Sequence, residues 1–188
     1  MGNQLSLDDN ELYYFAGLLD GEGSVMLVRT GSRGKHGERP LVPQVRLTNT
    51  DPTIIQFVVN ILIKLGVQPW IETREQKKNW NTAYSVLVSG IKKTNKVLEV
   101  MCKFLLAKKA QAELVLEFNR IRMATGRNQK NGSGYKYGSQ EQSIFERMKL
   151  LNHRGLTETG DGKHQLVTNW FDVQDSPSCD ESRRLTIN

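Results

Sequence analysis

Asp20 and Glu22 are two carboxylates separated by one glycine, at the end of a stretch whose apolar residues have helical spacing. Leu12, Phe15, Ala16 and Leu19 recur at i, i+3, i+4 and i+7 and form one buried stripe. Asp8, Asp9 and Asn10 offer an N-cap just upstream, and Glu11 adds an acid to the first turn. Gly17 and Gly21 lie on a different stripe, four residues apart, where missing side chains let a second helix come close. Two such helices meeting there place both pairs of acids side by side. Paired carboxylates are hard oxygen ligands, the type that holds Mg2+ or Ca2+.

The elements that position these acids follow from local pattern. Ser24 to Arg29 alternates loosely and reads as a strand, and Gly31, Gly34, Gly37, Pro40 and Pro43 mark a turn or extended loop. Gln44 to Asn49 alternates cleanly, with Val45 and Leu47 on one face and Gln44, Arg46 and Thr48 on the other. Asp51-Pro52 opens a second helix with buried stripe Ile54, Ile55, Val58, Ile61, Leu62 and Leu65, and Gly66 ends it. Residues 67–75 and 82–89 form a second strand pair. Thr94 is expected to cap a short helix carrying Val97, Leu98 and Met101, a longer helix follows over about 105–124, and Gln140 to Asn152 forms the last. Asn131 to Gly138 contains Gly-x-Gly but follows a helix, so it lacks the phosphate-loop frame and reads as a basic loop. The order α-β-β-α-β-β-α-α-α, with a coil-like tail from about Gly155, predicts an α+β fold whose strand pairs are antiparallel and whose helices cover one sheet face.

Composition narrows the partners. The 188 residues include 26 Lys and Arg against 20 Asp and Glu. Residues 1–155 hold 23 basic and 14 acidic side chains, whereas residues 156–188 hold 3 and 6. A basic body with a weakly acidic tail suits a polyanion, nucleic acid first. No apolar run is long enough to span a bilayer, and no signal-peptide core is present, so no membrane partner is expected. Cys102 and Cys179 suggest a reducing interior, and His36, His153 and His164 lack metal-ligand spacing with a cysteine.

Phe15-Ala-Gly-Leu-Leu-Asp-Gly-Glu-Gly23 resembles the signature of the LAGLIDADG homing endonucleases, with Phe for Leu, Leu for Ile, Glu for Asp and Gly for Ala. The helix–hairpin–helix–hairpin–helix order over residues 10–124 extends the likeness, as does Phe104-Leu-Leu-Ala-Lys-Lys-Ala-Gln-Ala-Glu-Leu-Val-Leu116. The resemblance implies an αββαββα core with an antiparallel four-stranded, saddle-like sheet and extra C-terminal helices. It places the domain at 1–155, the helical extension reaching about 154, and a polar tail at 156–188. The motif occurs once, and single-motif members act as homodimers, so self-association is expected.

What the resemblance implies for activity is Mg2+-dependent hydrolysis of double-stranded DNA at a long pseudo-palindromic site, leaving short 3′ overhangs and promoting intron mobility. Mn2+ is expected to substitute, and Ca2+ to support binding without cleavage. Glu22, with Gly21 beside it, falls in the metal position, and Gly17, Asp20 and Gly21 in the helix-pairing interface. Glu22 is one methylene longer than the family's usual Asp and remains a hard oxygen ligand. Lys108 matches the family's catalytic lysine, with Lys109 as competitor, and Asn49 stands where a water-positioning Gln is frequent. Expected DNA contacts are Thr30, Ser32, Arg33, Lys35, Arg39, Gln44, Arg46, Thr48, Glu72, Arg74, Gln76 and Lys78. Arg33, Lys35, His36 and Arg39 suit phosphate better than bases, and Trp80 and Asn81 suit flanking DNA. An RNA-binding intron maturase and a DNA-binding regulator with a decayed centre are the alternatives. The resemblance leaves an organelle and a prokaryotic cytoplasm equally open.

Overall fold

Helix α1 (Asp9–Glu22) begins at a capping box: the Asp8 carboxylate accepts the Asn10 N–H at 3.3 Å, and Glu11 accepts the Asp8 N–H at 3.1 Å. Glu11 also accepts a 2.6 Å hydrogen bond from Lys64, which pins α1 to α2 (Pro52–Lys64) and holds the Glu11 carboxyl below the usual carboxylate range. In this computed structural model, residues 7–31, 39–74, 81–125 and 137–152 are described, with the backbone of a hairpin at 157–158 and 164–165. The chain divides into two units, residues 1–152 and 153–188.

In the first unit, β1 (Gly23–Arg29), β2 (Leu41–Asn49), β3 (Trp70–Arg74) and β4 (Ala83–Ser89) form a four-stranded sheet in the order β1-β2-β4-β3, all pairs antiparallel. The fold is α+β. Val25 and Leu27, Val45 and Leu47, and Val86 and Val88 point to one face, where the described helices cover them. Alternation then puts Ser24, Arg46, Leu87 and Trp70 in one cross-strand row on the opposite, open face.

Three boundaries differ from the local pattern. Gly90, not Thr94, precedes α3 (Ile91–Met101). Thr94 sits one turn inside, fully buried, and its hydroxyl bonds the Gly90 carbonyl at 2.9 Å while accepting from Asn119 at 3.1 Å. A partner on another helix thus claims the hydroxyl that local spacing assigns to a cap. Helix α4 (Lys109–Ala124) starts later than residue 105, because the Leu106 and Lys108 N–H groups bond to Asp20. In the second unit, β5 (Thr157–Glu158) and β6 (His164–Gln165) pair antiparallel where coil is expected, a ladder too short to show alternation.

Helix α5 (Ser139–Asn152) closes the first unit by burying an ion pair. Glu141 accepts from Arg122 at 3.0 Å and from the Gly138 N–H at 2.7 Å, and the two side chains are only 2% and 5% exposed. Tyr137 receives the Leu41 N–H at 2.6 Å on its hydroxyl, and its ring lies 5.1 Å from the Arg122 guanidinium. Removing one partner of a buried pair costs about 3 kcal/mol or more, whereas an exposed pair contributes under about 1 kcal/mol. Glu141→Gln should therefore lower unfolding free energy in urea by about 3 kcal/mol. Glu146→Gln, in the exposed pair with Lys149, should change it by less than about 0.5 kcal/mol.

Candidate functional site

The end of α1 runs straight into β1: Glu22 is the last helical residue and Gly23 the first of the strand. Gly23 permits this junction, because a Cβ there would fall 2.6 Å from the Leu19 carbonyl oxygen. Glu22 is left exposed at the corner. Beside it, Asn49 closes β2, and its Nδ2 donates to Glu22 Oε2. The Asn49 Oδ1 accepts the Asp51 N–H at 2.8 Å, so the amide is held with its nitrogen toward Glu22. Asp51 in turn caps α2 by accepting the Thr53 N–H at 2.7 Å. Asn49 is therefore fixed by the start of one helix and presented to the end of another.

Asp20 faces inward. Its carboxylate oxygens accept the Leu106 N–H at 2.8 Å and the Lys108 N–H at 2.9 Å. The Lys108 ammonium returns to the Asp20 carbonyl oxygen. That carbonyl belongs to the last turn of α1, where carbonyls lack intrahelical partners and carry the negative end of the helix dipole. α1 has no basic residue of its own in that turn, and Lys108 supplies the cation from a different segment. The structure thus gathers Asp20, Glu22, Asn49 and Lys108 around one helix terminus. The two acids of the motif have separate roles: Asp20 is committed within the chain, and Glu22 faces solvent.

Gly17 and Gly21 are exposed, and a Cβ on either would meet nothing within 4 Å. The same face carries Tyr13 and Tyr14, 63% and 53% exposed, whose rings meet Phe104 and Phe57 edge-on at 5.0 Å. Space among the described residues does not explain these glycines.

Hard oxygen donors at the corner are the Glu22 carboxylate and the helix-terminal carbonyls around Gly21, types that suit Mg2+. Among the described residues, no three His, Cys, Asp or Glu side chains come close enough to hold a metal. One chain offers a partial shell. The donor set fits a divalent cation provided that a second copy brings its own Glu22.

Gln44, Arg46 and Thr48 of β2 share the open face with Glu72 and Arg74 of β3, with β4 between the two strands, as their alternation predicts. Arg46 pairs with Glu72 at 3.4 Å, and the Thr48 and Ser85 hydroxyls lie 2.7 Å apart. Thr30 follows β1, its N–H bonded to the Pro40 carbonyl at 3.0 Å, and Arg39 is exposed. Ser32, Arg33, Lys35, His36, Gln76, Lys78 and Trp80 lie outside the described residues. Residue-type reasoning passed over Trp70 and Leu87, apolar members of the Arg46 row. The period-two phase linking Trp70 to Glu72 was the signal that could have found Trp70.

Residues 9–101 match the model of the LAGLIDADG-like domain. The chain therefore contains a LAGLIDADG-like domain. No curated protein matches it. Among solved structures, the group I intron-encoded homing endonuclease I-CeuI, complexed with DNA, is similar at TM-score 0.57 and 12% identity, over 84% of this chain and 73% of that one. The homing endonuclease I-TnaI is similar at 0.52 and 19% identity, over 78% of this chain and 97% of that one. The meganuclease I-SmaMI, bound to uncleavable DNA, is similar at 0.53 and 13% identity, over 73% of this chain and 44% of that one. At such identities the likeness is one of fold.

The division of labour between the acids is testable by stability alone. Asp20→Ala removes two charge-assisted hydrogen bonds and should destabilise by about 2 kcal/mol. Glu22→Gln removes a negative charge from a helix C-terminus and should stabilise by about 0.3–1 kcal/mol. Urea unfolding of both variants measures this; Glu22→Gln losing as much as Asp20→Ala would refute the assignment.

Proposed function

We propose that this chain is a site-specific, Mg2+-dependent endonuclease of double-stranded DNA that works as a homodimer. The observation that carries the proposal is the partial metal shell at Glu22, beside an exposed glycine stripe that no contact among the described residues requires. Packing the Gly17–Gly21 face against the same face of a second copy is an isologous contact. It would bring two Glu22 carboxylates to the two-fold axis. The fold of this one chain covers 97% of I-TnaI but 44% of I-SmaMI, which supports a module that works in pairs. The domain would be residues 1–155, with 156–188 as a polar tail.

In this reading the open face of β1, β2, β3 and β4 lies in the major groove, where Arg46, Gln44 and Thr48 meet base edges and Arg39 meets phosphate. Glu22 would bind the cation and Asn49 would hold Oε2 in place. Lys108, fastened to the Asp20 carbonyl, would supply positive charge beside the scissile phosphate. When bound, Mg2+ would lower the pKa of water and offset charge on the leaving oxygen. The biological role would be intron mobility, and a long site with unsaturated contacts would tolerate some mismatches.

Incubation with a randomised duplex library and Mg2+ should yield a cleaved, roughly palindromic site with short 3′ overhangs. Glu22→Gln should slow cleavage about a thousandfold while DNA binding persists. Binding without cleavage by the wild type would contradict the nuclease reading and favour a regulator, whereas assistance to intron RNA splicing would favour a maturase. Dimerisation has its own signature. Sedimentation of the wild type should show twice the 21.4 kDa of one chain. Gly17→Ala, whose Cβ meets nothing within 4 Å on its own chain, should keep the fold of each chain while weakening the dimer. Gly17→Leu should fold as a monomer that does not cut. A Gly17→Leu protein that remains dimeric and active would overturn the shared-site arrangement.

A further inference from the structure

The open face combines charge with an apolar row. Ser24, Arg46, Leu87 and Trp70 are register partners running across all four strands, so one half of the row is polar and the other apolar. Trp70 is 67% exposed although it sits on a β-strand. Leu87 is half-buried between Val86 and Val88, which point to the opposite face and are 2% and 1% exposed. A separate apolar group on the same open face, Met26 and Val28 of β1 and Val42 of β2, is half-buried on the far side of Arg46 and Gln44. Isolated exposed apolar residues need no explanation, but a contiguous set on one sheet face does. Leu87 and Trp70 are cross-strand neighbours, and Leu87 adjoins Arg46 in the same row, so the face suits an anionic partner that also offers something apolar.

Double-stranded DNA presents one such group in its major groove. Each base pair offers hydrogen-bond donors and acceptors there, and only thymine adds a methyl, at C5. Neighbouring strands lie about 4.8 Å apart and base pairs about 3.4 Å. Side chains one strand apart in a row therefore address the same or adjacent base pairs. Glu72 holds Arg46 from the next row at 3.4 Å, which keeps the guanidinium beside Leu87.

We propose that Leu87 and Trp70 are specificity-determining residues that read the C5-methyl of thymine, Leu87 beside the base pair addressed by Arg46 and Trp70 one strand further along the row. The inference rests on the DNA-binding reading above and adds a chemical class of base to it. Each half-site then carries a thymine at a fixed offset from the base pair facing Arg46. No hydrogen bond is involved, so the discrimination is against loss of the methyl.

Replacing thymine by uracil removes that methyl and leaves every hydrogen-bonding group in place. Duplexes recovered by the full chain from a random library in Ca2+ should share a thymine in each half-site. Uracil should be substituted there one position at a time, and affinity measured by titration at fixed salt. One or two positions per half-site should weaken wild-type binding about fourfold, the effect of a buried methyl. That penalty should vanish in Trp70→Ser or Leu87→Thr, while penalties for other base changes remain; thermal melting verifies that both variants are folded. Recovery of no duplex would remove the DNA-binding reading and this proposal together. Tight binding with no uracil effect at any position, or a penalty equally large in both variants, would overturn the thymine assignment and leave the nuclease reading standing.

Discussion

Two backbone N–H groups bonded to one carboxylate decide the form of the site. Asp20 accepts from Leu106 and Lys108, residues far away in sequence, and so fixes where α1 ends relative to where α4 begins. An aspartate near a helix C-terminus is electrostatically unfavourable, and a lysine ammonium on the adjacent carbonyl offsets that cost. The same contacts place Lys108 at the helix terminus that ends in Glu22. Packing, charge balance and the candidate catalytic groups all depend on this bracket.

The sheet has a comparable division of duties. Its inner face is a run of buried valines and leucines, and the described helices pack there. Its outer face combines arginine, amide, hydroxyl and apolar groups, with Arg46 paired to Glu72 and Thr48 to Ser85. These cross-strand pairs hold side chains in place before any ligand arrives, which reduces the ordering that binding must impose. At the far end, the buried Arg122–Glu141 pair and the Tyr137 hydroxyl on the Leu41 N–H fasten α5 to α4 and to the start of β2.

Much of the fold was legible because its signals are local. The stripe of α1, the alternation of β2 and the Asp51-Pro52 start of α2 each announce an element within a few residues. The start of α4 was not legible, since the acceptor of the Leu106 and Lys108 N–H groups is Asp20. Thr94 misled for a similar reason: its hydroxyl is used by Asn119 across a helix–helix contact. In the site, residue types named Glu22, Asn49 and Lys108 separately. The clasp of Asn49 onto Glu22 needs β2 to end beside α1, a tertiary fact. Trp70 was missed because polar residue types were sought on a face that also carries apolar ones.

The direct passage from Glu22 into Gly23 and Ser24 has a consequence for how such a protein can change over time. Ser24 opens the outward row of the sheet, two residues from the exposed carboxylate. No hinge separates the two, so the corner and the sheet move as a single lever. An inserted residue there would turn every following β1 side chain to the opposite face. Length variation is therefore barred at this corner and must be taken up in the strand connections, whereas single substitutions across the row can retune recognition without moving the carboxylate.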